Sequence, residues 1–121
     1  MAKHNETGKL GEAMAAAFLT DLGYQILETN WRSGKAELDI IAKLKETLVF
    51  VEVKTRSSDQ FGMPEDYVTA KKERLMWRAA GAYMELTGHD WAIRFDIISI
   101  LLKEGKPPEI IHFKDTYFPM E

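Results

Sequence analysis

The run Val49-Phe-Val-Glu-Val-Lys-Thr-Arg56 constrains this chain more than any other stretch. Its β-branched and aromatic content reads as a strand, and apolar residues on both alternating faces read as a strand buried on both sides. Two charges, Glu52 and Lys54, nevertheless stand inside it. A charge in a buried sheet is costly unless it is paired or bound to a metal, so the fold must bring partners to this strand. The preceding segment, residues 36–43, supplies one in Asp39, and residues 44–47 join the two as a hairpin. Alternation puts Glu37, Asp39 and Ile41 on one face of their strand, and Glu52 and Lys54 with Leu48 and Phe50 on theirs. With Lys43 opposite Leu48, Asp39 faces Glu52, their Cβ atoms about 5 Å apart.

Two carboxylates so placed repel one another, and a hard divalent cation, Mg²⁺ or Mn²⁺, relieves that repulsion with oxygen ligands while keeping waters for a substrate. Lys54 beside them would orient or help deprotonate an attacking water, or stabilise charge on a phosphate. The alternative is a buried ion pair of Lys54 with Glu52 or Asp39 that fixes strand register. For any one of the three residues that alternative is the better reading; for all three together the metal site is.

The rest of the chain reads as one domain over residues 1–121, in the order α-β-β-β-α-β-β. A first helix spans residues 7–22, with Leu10, Ala13, Met14, Ala17 and Phe18 as its apolar face and Gly23 as its stop. Strands follow at 24–31, 36–43 and 48–56. A loop with Gly62 and Pro64 leads to a second helix at 67–87, whose buried side is Val68, Leu75, Ala79, Ala82 and Leu86. Strands at 91–102 and 109–113 complete a mixed central sheet flanked by helices, an α/β class. No apolar run approaches the roughly 20 residues a membrane helix needs, and no secretory signal is visible, which fits a cytoplasmic protein. With no cysteine, disulfides and thiolate metal sites are excluded. The net charge of −3 is unusual for a non-specific nucleic-acid binder. Residues 54–78, however, hold six Lys and Arg against four Asp and Glu, beside the hairpin.

Asp39…Glu52-Val53-Lys54 resembles the D…(D/E)-x-K signature of the restriction-endonuclease-like superfamily, whose core order is α-β-β-β-α-β. The chain is more closely similar to the YraN-like family, through Gly11-Glu12, Asn30, Glu37-Leu38-Asp39, Phe50 to Arg56, Phe61-Gly62, a Lys at 71 or 72, and Phe95-Asp96. It departs from that family's pattern at Lys35-Ala36, where many members are glycine-rich, which bears only on the turn. A further similarity, to archaeal-type Holliday-junction resolvases, implies Glu12 as a fourth acidic member of the site. A solvated carboxylate in the helix is an equally good reading of Glu12. The resemblance implies a divalent-metal-dependent endonuclease acting on DNA, including branched or damaged DNA, with homodimers as in junction-cutting relatives. The rival expectation is a catalytically silent nuclease-fold module that binds nucleic acid or protein.

Arg56 is suited to hold a phosphate by paired hydrogen bonds, or is an ordinary cation at a strand end. Lys71, Arg74 and Arg78 fall on one helical stripe that would track a phosphate backbone, although such stripes more commonly only solvate a helix. The resemblance implies Lys71 or Lys72 as a phosphate contact without separating them. Asp96 reads as a structural charge paired with Arg94 or a Lys. The three histidines lack metal-ligand spacing, and Trp31, Trp77 and Trp91 suit packing better than base stacking.

Overall fold

The computed structural model describes residues 2–57 and 70–116, with side chains from Thr7 onward. The expected loop around Phe61, Gly62 and Pro64, and residues 67–69 of the second helix with Val68, lie outside the described residues. The elements are α1 (Ala2–Asp21), β1 (Gln25–Ser33), β2 (Ala36–Leu44), β3 (Thr47–Ser57), α2 (Ala70–Thr87), β4 (Ile93–Leu102) and β5 (Glu109–Phe113). The five strands form one sheet in sequence order. β3 and β4, joined through α2, are parallel, and every other pair is antiparallel. Among the described residues, no helix is long and apolar enough to cross a membrane.

The two helices cover opposite faces. Under α1 lie Ala15, Leu19, Ile40, Ala42, Val49, Val51, Ile98 and Ile100; under α2 lie Leu38, Phe50, Met76, Ala79, Tyr83, Phe95 and Ile97. β3 therefore contributes to both layers, which is why its sequence is apolar on both alternating positions. α1 stops in a glycine-led turn: Gly23 takes φ 98° while Tyr24 N–H donates to the Leu19 carbonyl and Gly23 N–H to that of Thr20. These bonds satisfy orphan helix carbonyls and bring Tyr24 back over Leu19, both buried in one cluster.

Both helices are rotated from the faces expected of them. α1 buries Gly11, Ala15 and Leu19, whereas Ala13 and Ala17 are exposed, Leu10 is 47% exposed, and Met14 and Phe18 are half-buried. The cause is close approach. A Cβ on Gly11 would stand 1.7 Å from Thr55 Oγ1 of β3, so the smallest residue, rather than the largest, marks the line of contact. α2 buries Met76, Ala79, Ala80 and Tyr83, while Leu86 is 73% exposed.

Candidate functional site

The site lies where β2 and β3 part. Their register runs from Leu44↔Thr47, through the expected Lys43↔Leu48, to Ile40↔Val51. The turn between them is only Lys45-Glu46, with Lys45 at φ 55°. Beyond Val51, β3 stays paired with β4 as far as Ser57, and β2 stays paired with β1 back to Ala36. The Val53 N–H donates to Asp39 Oδ2 at 2.8 Å, the carboxylate standing where a strand carbonyl would otherwise accept.

β2 also changes face at Asp39. Leu38 belongs to the α2 layer, yet Ile40, two residues on, belongs to the α1 layer. Regular alternation would keep them together, so the expected sharing of one face by Glu37, Asp39 and Ile41 does not hold. On the neighbouring strand, Asn30 takes φ 53° between the pairs Thr29↔Ile40 and Trp31↔Leu38. Asparagine is among the few side chains that enter that region readily, which explains how both strands tolerate the kink.

Glu52 is 3% exposed. Lys72 of α2 donates to its Oε2 at 2.5 Å, and Lys54 Nζ lies 3.3 Å from the same oxygen. Burial and the nearby Glu52 charge push the Asp39 carboxyl up to about 7; the negative charge of Glu12 adds to this, and the Val53 hydrogen bond and Lys72 oppose it. Burial, then the neighbouring Lys72 amine, lower Lys54 from its ordinary range, with Glu52 opposing. Burial also acts to lower Lys72, but the Glu52 carboxylate outweighs it and holds Lys72 above the usual lysine value. Asp39, Glu52, Lys71, Lys72, Leu75 and Met76 are among the residues bordering a cleft of about 310 Å³.

The fold thus brings together Asp39, Glu52, Lys54 and Lys72, with Lys71 at the rim. Arg74 and Arg78 are exposed along α2, and Arg56 is half-buried farther along β3. Glu12, half-buried on α1, reaches the site through its charge on Asp39. Among the described residues no three His, Cys, Asp or Glu side chains stand close enough to hold a metal ion. A pre-assembled three-carboxylate cage of Glu12, Asp39 and Glu52 is therefore not present. The remaining pair, Asp39 and Glu52, fits a hard cation that takes one or two protein carboxylates and completes its shell with water and phosphate. The residue that the sequence left undistinguished is Lys72. Its signal was its spacing: Met76 and Ala80 continue its helical stripe at intervals of four.

Asp96, although close in sequence register, lies on the other face. Its Oδ1 accepts from Arg94 Nε at 2.9 Å and Asp115 N–H at 3.0 Å, and its Oδ2 from Arg94 Nη2 at 2.8 Å; His112 Nε2 is 2.7 Å from that same oxygen. Burial would raise this carboxyl, but the hydrogen bonds from His112, Arg94 and Asp115 lower it instead. The expected structural pairing with Arg94 is what the geometry gives.

Residues 11–100 match the model of a family described as uncharacterised protein family UPF0102. The chain is 49% identical over 118 residues to a UPF0102 protein of Flavobacterium psychrophilum, covering 98% of each. It is 47% identical over 119 residues to one from Phocaeicola vulgatus, again covering 98% of each. A UPF0102 protein of Porphyromonas gingivalis is 41% identical over 120 residues, 99% of this chain and 89% of that protein.

Proposed function

This chain belongs to the UPF0102 family, the YraN-like group its sequence resembles, and from that premise we propose that it is a divalent-metal-dependent endonuclease of the restriction-endonuclease-like type, hydrolysing DNA phosphodiester bonds. The observation that carries the proposal is the closeness of Asp39 to Glu52 where two buried strands part, with Asp39 pushed up to about 7 by burial and the Glu52 charge and two lysines converging on Glu52. Strongly perturbed acids beside a cleft mark working sites more often than structural ones. Asp39 and Glu52 would hold Mg²⁺ or Mn²⁺, with Glu12 assisting by charge or through water. A bound ion of this kind supplies Lewis acidity toward a phosphoryl oxygen and a lowered pKa for its water.

Lys54, lowered by burial and standing beside Glu52, is suited to orient the attacking water or help deprotonate it. Lys71 and Lys72 border the cleft and would meet phosphate oxygens there; Arg56, Arg74 and Arg78 would extend that contact along the backbone. Purified protein with Mn²⁺ is expected to nick or cut plasmid, branched or flapped DNA, and Glu52→Ala to lose at least about a hundredfold of that activity. Equal inertness of both proteins over a broad substrate panel overturns the enzyme.

One observation favours a second reading. Lys72 is paired with Glu52, an arrangement that a silent nucleic-acid- or protein-binding module would keep. Salt-dependent DNA binding that needs no metal and survives Asp39→Ala would select that reading.

A further inference from the structure

Asp39, Glu52 and Lys72 border the cleft together with Lys35, Glu37 and Lys71, and two amines, those of Lys54 and Lys72, converge on one oxygen of Glu52. They are not equivalent. Lys54 lies on the same strand as Glu52, two residues away, and its side chain is 22% exposed. Lys72 comes from α2 across the cleft, makes the shorter contact, and its side chain is 38% exposed. Its backbone is fixed by the helix, since the next turns of the same stripe, Met76, Ala79 and Ala80, are buried against the sheet. Its amine stands at the end of a long stem at the border of the cleft, so exchanging Glu52 for another partner there need not move the helix.

The charge balance makes this difference matter. With Asp39 and Glu52 ionised, Asp39, Glu52, Lys54 and Lys72 sum to zero, and Lys35, Lys71 and Glu37 at the rim add one net positive charge. A divalent ion entering that set meets two ammonium groups within a few ångströms, and at such separations like charges repel strongly outside bulk water. Lys72 occupies Glu52 Oε2, one of the two carboxylate oxygens with which Glu52 could meet a cation.

Building on the metal-site reading above, we propose that Lys72 is a resident counter-ion of the cleft, which holds Glu52 in the absence of metal and must be displaced from it when a divalent cation binds. Lys72 then sets the metal affinity by competition, and its ammonium is turned toward the cleft, where the phosphate of a nucleic acid would lie. The exchange accounts for how Glu52, a nearly buried carboxylate, is kept satisfied in a site whose work requires a ligand it does not always hold.

The test is titration of Mn²⁺ alone, followed by calorimetry and by the electron paramagnetic resonance of free Mn²⁺, into wild type, Lys72→Met and Lys72→Arg. Methionine keeps the length of the side chain and removes its charge, and Glu52 retains Lys54. Lys72→Met is expected to bind Mn²⁺ at least tenfold more tightly than wild type, and Lys72→Arg no more tightly than wild type. Equal or weaker binding by Lys72→Met, with wild type binding normally, overturns the counter-ion while leaving the metal site standing. Absence of binding to every variant overturns the metal site and the counter-ion with it. Wild type provides a check that needs no substitution: on adding diamagnetic Mg²⁺, the Lys72 ¹³Cε resonance should move, while that of Lys103, paired with Glu109 away from the cleft, should not. A Lys72 resonance that stays fixed at saturating Mg²⁺ contradicts displacement.

Discussion

Two buried acids sit on adjacent parallel strands, one residue out of register, and meet opposite fates. Asp96, paired with Val51, faces the α1 side; Glu52, paired with Ile97, faces the α2 side. Around Asp96 every partner is in place: a two-pronged Arg94, His112 and the Asp115 N–H, with Arg94 held in turn by the Tyr24 hydroxyl at 2.6 Å. Its carboxyl is lowered accordingly. Around Glu52 the charges are balanced but crowded, with two amines on one oxygen and a neighbouring acid, Asp39, pushed up to about 7. A satisfied buried charge fixes a fold, whereas a crowded one is where a protein departs from structural consistency to leave room for a ligand.

Substitutions that exchange these roles would break the comparison. Asp96→Asn should be the most damaging to stability, at on the order of 3 kcal/mol by urea unfolding, because it breaks a fully buried carboxylate's network and leaves the half-buried Arg94 uncompensated. Mn²⁺ affinity should be unchanged in that variant, and a loss of metal binding would erase the distinction between the two faces. Asp39→Asn should act in the opposite direction. The folded Asp39 carboxyl titrates at about 7 against an ordinary 3.8. The protonated form is thus favoured by folding, and that contribution is fully present below the lower value and lost as pH rises through the upper one. Asparagine still offers the Val53 N–H an acceptor and does not titrate. Its stability advantage over wild type should therefore grow from about pH 4 to pH 7 and stay level above, reaching at most about 4 kcal/mol. Gly11→Ala carries the smallest effect. Contact with Thr55 should outweigh the gain in helix propensity by about 1 kcal/mol, and Thr55→Ala in the same chain should recover part of that loss in a double-mutant cycle.

The hairpin and its register were legible because they rest on local rules: alternation, a short turn, and the cost of charge inside a strand. Lys43 does face Leu48, and Lys54 does stand beside Glu52. What escaped the sequence was set by tertiary contact. The helix faces turned on Gly11 and the alanines, whose small size permits close approach but gives no hydrophobic signal. The change of face at Asp39 depends on Asn30 across the strand pair, a relation that period-two counting cannot contain. Lys71, Lys72, Arg74 and Arg78 looked alike as cations. Only Lys72 continues the stripe that Met76 and Ala80 bury, and only it reaches Glu52.

A crystal grown with Mn²⁺ and measured at a wavelength where manganese scatters anomalously tests the central claim most directly. The account expects one strong anomalous peak between the Asp39 and Glu52 carboxylates, at about 2.1 Å from an oxygen of each, a separation close to that of the similar Mg²⁺, with the Lys72 amine withdrawn from Glu52. No peak there at saturating Mn²⁺, with Lys72 still clamped on Glu52, would contradict it and leave the cleft a structural ion-pair network.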